Sequence, residues 1–259
     1  MQIPVGPPTP TLDFASWIVW EDEHIVIVNK PAGVLSQGGE GGRGVNLVDL
    51  ARAHYGKKNI GVAHRLDRNV SGLVIIPKTV ESAKTIGAKM RDHAVQKLYR
   101  GVVRGVVAEH GWFLIEALLK KDEAKNEVRA VSAAELLAMK PGTGALFQPA
   151  RTKVMVVARH RSPMGPIAEL DLVPLTGRSH QLRAHLAYRG LPLIGDPKYG
   201  IMASGVNRPL LHAWKLTFSH PRGNKVLEVE CPPPWNTELL SRLRAAPKPF
   251  LHVAGRRRL

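Results

Sequence analysis

One cysteine, Cys231, is the only thiol in the chain. A lone cysteine forms no internal disulfide. The 11 histidines are scattered, so no Cys/His cluster has metal-ligand spacing. The expectation is a reduced, cytoplasmic protein that needs no metal. Long apolar runs are missing as well. The longest are strand-sized, too short to span a bilayer, so no membrane partner is expected. The opening M-Q-I-P-V-G-P-P-T-P-T lacks the basic-then-apolar order of a signal peptide and reads as a Pro-rich leader over residues 1–11. Acidic residues are also few: 21 against 37 lysines and arginines, a net charge of +16 over 259 residues. Such an excess does little for folding but concentrates anionic partners, nucleic acid first among them.

Hydrophobic residues make up 44% of the chain, enough for a sizeable core. A β-branched run at 25–28 stops at Asn29-Lys30-Pro31 and predicts a strand. Residues 36–45 are glycine-dense and read as a flexible loop. A short helix is expected over 46–55 and a buried strand over 73–76, closed by Pro77. Thr79 is placed to cap a helix reaching about residue 94, with a basic outer face. Strands at 99–107 and 112–119 are expected to pair across the turn at 109–111, and residues 120–151 look less regular, with a helical turn or two at 132–139. Further strands are expected at 152–159, 168–175, 210–218 and 226–230. Residues 179–189 look helical, with Gly190 to end them, and Thr237 is placed to cap a last helix. Consecutive groups of strands favour an α+β fold with a central, mainly antiparallel mixed sheet, flanked by helices and loops, over a doubly wound parallel one. Residues 12–246 are treated as one unit, followed by a basic tail at 247–259.

Three stretches could carry chemistry. In H-R-L-D-R-N-V-S-G-L at 64–73, Asp67 stands between Arg65 and Arg68. Flanking positive charge favours the ionised carboxylate, which can serve as nucleophile, base or electrostatic stabiliser. A surface ion-pair cluster would look the same locally. In L-T-G-R-S-H-Q-L-R-A-H at 175–185, a turn feeds a helix whose first turns carry Arg178, His180, Gln181 and Arg183. That arrangement suits an anion, either a phosphate or an internal carboxylate such as Asp67. The alternative is an amphipathic helix with a basic outer face. In K-L-Y-R-G-V-V at 97–103, Tyr99 among basic residues suits stacking on a nucleobase, though a rim tyrosine is equally ordinary. The glycines at 38–44 do not open a helix in a βαβ unit, so a dinucleotide loop is rejected.

Taken together and in order, these stretches resemble the RluA family of pseudouridine synthases. N-K-P-A-G-V-L-S at 29–36 is similar to the family's first motif, H-R-L-D-R-N-V-S-G to its catalytic one, and K-L-Y-R-G-V-V to its tyrosine-bearing strand. The long run from L-T-G-R-S-H-Q-L-R to G-D-P-K-Y-G resembles its third motif, and R-P-L-L-H-A-W-K-L-T-F at 208–218 its closing strand. The resemblance covers roughly residues 18–234. It implies the pseudouridine synthase fold and an enzyme that isomerises uridine in ribosomal or transfer RNA without cofactor; a monomer is expected. It also implies Asp67, Tyr99 and Arg183 as catalytic residues. Arg65 would help the base out of its stack and Leu211 would lie near the pocket, while Arg178, His180 and Arg68 are the further substrate-binding candidates. Val70 departs from the pattern, standing where the family usually has threonine. No separate N-terminal RNA-binding domain is expected. The rival reading is a non-catalytic RNA-binding or ribosome-assembly protein that retains the fold.

Overall fold

The computed structural model describes residues 12–38, 45–140, 142, 146–223 and 225–246. The leader, most of the glycine-dense loop and the basic tail lie outside the described residues. Ten strands form one sheet: β1 (Ile18–Glu21), β2 (Ile25–Lys30), β3 (Ser71–Pro77), β4 (Gln96–Arg104), β5 (Trp112–Asp122), β6 (Glu127–Val131), β7 (Gln148–Ser162), β8 (Gly165–Pro174), β9 (Leu211–Ser219) and β10 (Val226–Glu230). Their order is β1-β2-β3-β9-β4-β8-β7-β5-β6, with β10 also on β9. Only the β3–β9 pair is parallel among these. The helices are α1 (Leu47–Tyr55), α2 (Val80–Arg91), α3 (Ala133–Leu137), α4 (Gln181–Tyr188) and α5 (Thr237–Ser241). The fold is therefore α+β with a mixed, mainly antiparallel sheet, as the strand grouping predicts. None of these helices is long and apolar enough to cross a membrane.

Every residue of β3 is buried, which explains its unbroken apolar run. Val74 and Ile76 face one core cluster, while Leu73 and Ile75 meet Ile86 of α2 in another. Thr79 caps α2 by accepting from the Ser82 N–H at 3.1 Å, and Asn46 caps α1 by accepting from Asp49 at 3.0 Å. The last helix is capped by Asn236, one residue before the expected Thr237.

The β3–β9 contact is a narrow seam of two residue pairs, Ser71 with His212 and Gly72 with Ala213. Gly72 has φ +123°, and a Cβ there would lie 2.3 Å from the Ala213 carbonyl oxygen. Only glycine lets the strands approach so closely. Beside it the Ser71 hydroxyl donates to His212 Nδ1 at 2.7 Å and accepts from Arg208 at 3.1 Å. This seam joins the two halves of the sheet and lies immediately after the Asp67 loop.

Two expectations are corrected. Strands β4 and β5 do not pair: β4 lies between β8 and β9, and β5 between β6 and β7. The chain leaving β4 bonds sideways, Arg104 N–H to Pro192 and Gly105 N–H to Pro166, so it crosses the β7–β8 hairpin instead of turning back. The charged stretch at 120–129 is regular, forming the β5–β6 hairpin with Asn126 at φ 49°. Its charged side chains conceal the alternation because this edge of the sheet is largely exposed. The turn expected at 132–139 forms as α3, with a capping box between Ser132 and Glu135.

Candidate active site

Asp67 sits in a loop mounted on the N-K-P-A-G-V-L-S segment. The buried Lys30 ammonium donates to the carbonyls of Pro31, Val34 and Arg68 at 3.0, 2.8 and 3.3 Å. Burial pulls its pKa down to about 7, with the Asp67 charge opposing and Arg208 adding to the drop. The Ser36 hydroxyl donates to the Leu66 carbonyl at 2.8 Å and accepts its N–H at 2.9 Å. The Val70 N–H closes the turn onto the Asp67 carbonyl at 3.1 Å. These bonds fix the backbone on both sides of the carboxylate.

Arg183 fixes the carboxylate itself. Its Nη1 donates to Asp67 Oδ2 at 3.0 Å, while Nε and Nη2 grip both oxygens of Asp196 at 2.7 Å. The Asp196 side chain is fully buried and that of Asp67 keeps 29% of its exposure. Burial works against both buried charges, but the partners outweigh it. Asp196 and Asp67 raise the guanidinium pKa, and Arg183 with the Lys198 and Tyr199 N–H groups lowers that of Asp196. The G-D-P-K-Y-G turn is shaped for this. A Cβ on Gly200 would lie 2.0 Å from the Leu193 carbonyl oxygen. Asp67 Oδ1 makes no hydrogen bond among the described residues.

The carboxylate opens into a cleft of about 510 Å³. All eight residues singled out from the sequence line it: Asp67, Tyr99, Arg183, Arg65, Leu211, Arg178, His180 and Arg68. Tyr99 is 8% exposed, and a register shift between Leu98 and Tyr99 aims its ring at the cleft. Burial, helped by the Asp67 charge, raises its phenol pKa, so it stays protonated. Leu211 lies across from Gly101, supplying an apolar wall. Arg65 is exposed at the mouth and makes no hydrogen bond or ion pair among the described residues. Arg178 reaches the Pro149 carbonyl at 3.4 Å. Arg68 is tied back by its Nε to the Gly33 carbonyl at 2.9 Å.

The crowding of polar residues at the start of α4 divides into separate tasks. Gln181 is structural: its amide bonds Thr176, the Arg178 N–H, the Arg151 carbonyl and Thr152. His185 is internal, on Thr152 Oγ1 at 2.9 Å. The anion that Arg183 meets is a pair of carboxylates. Sequence reasoning did not assign roles to Lys30 or Asp196. A lysine ending a buried strand and an aspartate in a Gly/Pro turn were the available signals. His64 and Lys97 also line the cleft without having been singled out as site residues. Burial, with nearby Lys97, lowers the His64 pKa to about 3, and burial lowers that of Lys97. Among the described residues no group of three or more His, Cys, Asp or Glu side chains is placed to hold a metal ion.

The model of the RNA pseudouridylate synthase family matches residues 24–188. Ribosomal large subunit pseudouridine synthase C of Escherichia coli is 30% identical over 230 residues, 84% of this chain and 66% of that protein. Synthase C of Vibrio vulnificus is 28% identical over 222 residues, 83% of this chain and 65% of its own. Synthase D of Neisseria meningitidis is 31% identical over 245 residues, 88% and 61% respectively. The chain thus spans roughly two thirds or slightly less of the length of these curated relatives. Among solved structures, human RNA pseudouridylate synthase domain containing 1 shares the fold, with a TM-score of 0.68 at 23% identity over 90% of each chain. The chain belongs to the RNA pseudouridylate synthase family, in its RluA branch.

Proposed function

We propose that this member of the family isomerises uridine in RNA to pseudouridine, with Asp67 acting at the glycosidic bond. The observation that carries the reading is the Asp67 carboxylate itself. It is ion-paired through one oxygen to a doubly anchored Arg183, open through the other, and set in a cleft walled by Tyr99 and Leu211. In the reaction the C1′–N1 bond breaks, the base turns, and C1′ bonds to C5. The C5 proton leaves and N1 gains one, so no group is lost overall and no redox partner is required. A preorganised carboxylate suits charge that develops at the sugar. Protonated Tyr99 packs against the base. Leu211 completes the apolar wall.

A stacked uridine cannot reach Asp67, and extruding it costs a few kcal/mol. Arg65, free at the cleft mouth, fills the vacated space in the RNA, and Arg178, Arg68 and His180 lie along the entry for phosphate and sugar. The basic residues of the β5–β6 hairpin, of which Lys121 lines the cleft, extend the path for the backbone. The activity is assigned to residues 12–246, acting as a monomer in the cytoplasm. The names of the relatives make large-subunit ribosomal RNA the first substrate to try; transfer RNA is the other candidate.

The test is tritium release from RNA labelled at uridine C5. The unaltered protein is expected to release tritium without added metal or nucleotide, and Asp67→Asn to lose at least about 1000-fold, or about 4 kcal/mol of barrier, with RNA still bound. Turnover retained by that variant would remove Asp67 from its role. Binding without any release by the unaltered protein would favour the non-catalytic rival.

A further inference from the structure

His180 holds a backbone conformation that side chains other than glycine seldom adopt, φ 48° and ψ 18°. Its ring is fixed from behind. Nδ1 lies 2.8 Å from the Tyr199 hydroxyl, and the two rings meet edge-on at 5.6 Å. The Tyr199 oxygen already accepts the Val128 N–H at 2.6 Å. We assign its proton to His180 Nδ1, because an oxygen already accepting one N–H at 2.6 Å is the poorer second acceptor, and this places the imidazole proton on Nε2. Burial, only partly opposed by Asp67, lowers the His180 pKa and keeps the ring neutral near pH 7. Nε2 points toward Asp67 Oδ2 across 3.9 Å, beyond hydrogen-bond reach. A donor and an acceptor thus face each other on the cleft wall with a gap between them.

Atoms 3.9 Å apart admit no third between them, but one atom set on the cleft side, about 2.8 Å from each, would bridge them at about 90°, provided that it both accepts and donates. On uracil, the accepting and donating atoms are different atoms. An internal RNA nucleotide carries a single free hydroxyl, the 2′, and it sits on the carbon next to C1′. We propose that His180 and Asp67 form a recognition site for the ribose 2′-hydroxyl, which accepts from His180 Nε2–H and donates to Asp67 Oδ2. This deepens and rests on the reading of the cleft as a uridine site. It makes His180 the residue that tells RNA from DNA, with Tyr199 positioning it. Asp67 Oδ1 stays free for the chemistry.

The probes are a synthetic stem-loop RNA with a uridine-only loop and its twin carrying 2′-deoxyuridine throughout the loop. Affinities are measured by fluorescence anisotropy with the full chain. The unaltered protein should bind the uridine loop on the order of 10- to 100-fold more tightly, the usual consequence of leaving a buried pair of polar groups unmatched. His180→Asn keeps a residue that tolerates the left-handed conformation but withdraws the ring, and should bring the preference within about 3-fold. Tyr199→Phe, which leaves the unusual backbone untouched, should lower the preference in the same direction, and it decides the matter if His180→Asn does not fold. Equal binding of the two loops by the unaltered protein, or a preference that survives in both variants, overturns the proposal. A preference lost in the variants but with no pseudouridine formed by any form overturns the isomerase reading and leaves the hydroxyl site standing.

Discussion

Strand β4 sends Tyr99 into the cleft and its neighbour Arg100 to the opposite face of the sheet, and each face holds an arginine–aspartate pair. On the back, Arg100 Nε meets Asp171 Oδ1 at 2.7 Å; in the cleft, Arg183 Nη1 meets Asp67 Oδ2 at 3.0 Å. The back pair is closed. Asp171 Oδ1 also accepts the Trp214 indole N–H at 3.1 Å, and the Arg100 guanidinium lies 5.1 Å over that ring. The cleft pair is open: Asp196 anchors Arg183 independently, and the Asp67 side chain keeps 29% of its exposure against 8% for Asp171. An arginine beside a carboxylate is thus a fold element on one face and the frame of a site on the other. What separates them is how firmly a second acid holds the arginine: Asp196 grips Arg183 through two bonds at 2.7 Å, whereas Glu169 stands 4.0 Å from Arg100.

That contrast can be broken most forcefully at Asp196. Asp196→Asn removes the anchoring charge from a buried guanidinium, which should cost about 3–5 kcal/mol of stability. It should also lower turnover by about 100-fold, because a misaligned Arg183 misplaces Asp67. Urea unfolding and tritium release read the two losses. Stability lost without activity would mean that Arg183 needs no second acid to hold Asp67.

Buried neutral histidines are a second liability, His185 in α4 beside the cleft and His212 across from Arg100 on the back. Burial lowers the pKa of His185, and burial with nearby Arg208 lowers that of His212 despite the Cys231 carbonyl, each to about 4. In the unfolded chain each takes up its proton near pH 6.5, and in the folded chain only near 4. The unfolded state therefore binds more protons across that window, and stability falls as pH drops through it. These two groups alone give about 2.7 kcal/mol per pH unit at most, and His64, lowered to about 3, acts in the same direction. Thermal melts at pH 7 and 5 should show a clear fall in Tm, and His185→Gln should reduce it.

Asp171→Asn tests the other side of the comparison. The amide oxygen still accepts, but Arg100 loses its closer counter-charge and keeps only Glu169 at 4.0 Å, for an expected loss of about 1–2 kcal/mol. Turnover should stay within about 3-fold of the unaltered protein, since no group of the back pair lines the cleft. A loss comparable to that of Asp196→Asn would erase the distinction between the two faces.

Local sequence does not distinguish the two pairs. Arg100 and Asp171 are ordinary strand residues in print, and H-R-L-D-R reads as a surface cluster until Arg183 is brought from 116 residues away. The order of the motifs locates the cleft because the family's chemistry is written in short runs. The partners of those runs are set by tertiary contacts, which is why Asp196 and Lys30 were missed as anchors. The fold was legible where burial is two-sided, as in β3, or where a cap is explicit, as at Asn46 and Thr79. It was obscured where charged side chains hide the alternation, as in the β5–β6 hairpin. It was also obscured at β4 and β5, where nearness in sequence suggested a pairing that the β7–β8 hairpin occupies. The S-G step after Val70 became intelligible only at the seam, where Gly72 admits the Ala213 backbone.

The smallest expected effect concerns Val70, which stands where the family usually has threonine. Its side chain is 3% exposed and belongs to the core cluster that underlies the cleft, while its backbone N–H already closes the turn onto the Asp67 carbonyl. The turn that presents Asp67 is therefore held by main chain, with no hydroxyl at this position. Val70→Thr exchanges a buried methyl for a hydroxyl without a partner in this chain, for a loss of about 1 kcal/mol. Turnover should stay within about 3-fold. A large gain in turnover would show that the carboxylate in this chain is less well held than the Arg183–Asp196 anchor implies, and that the open pair on the cleft face is missing a contact.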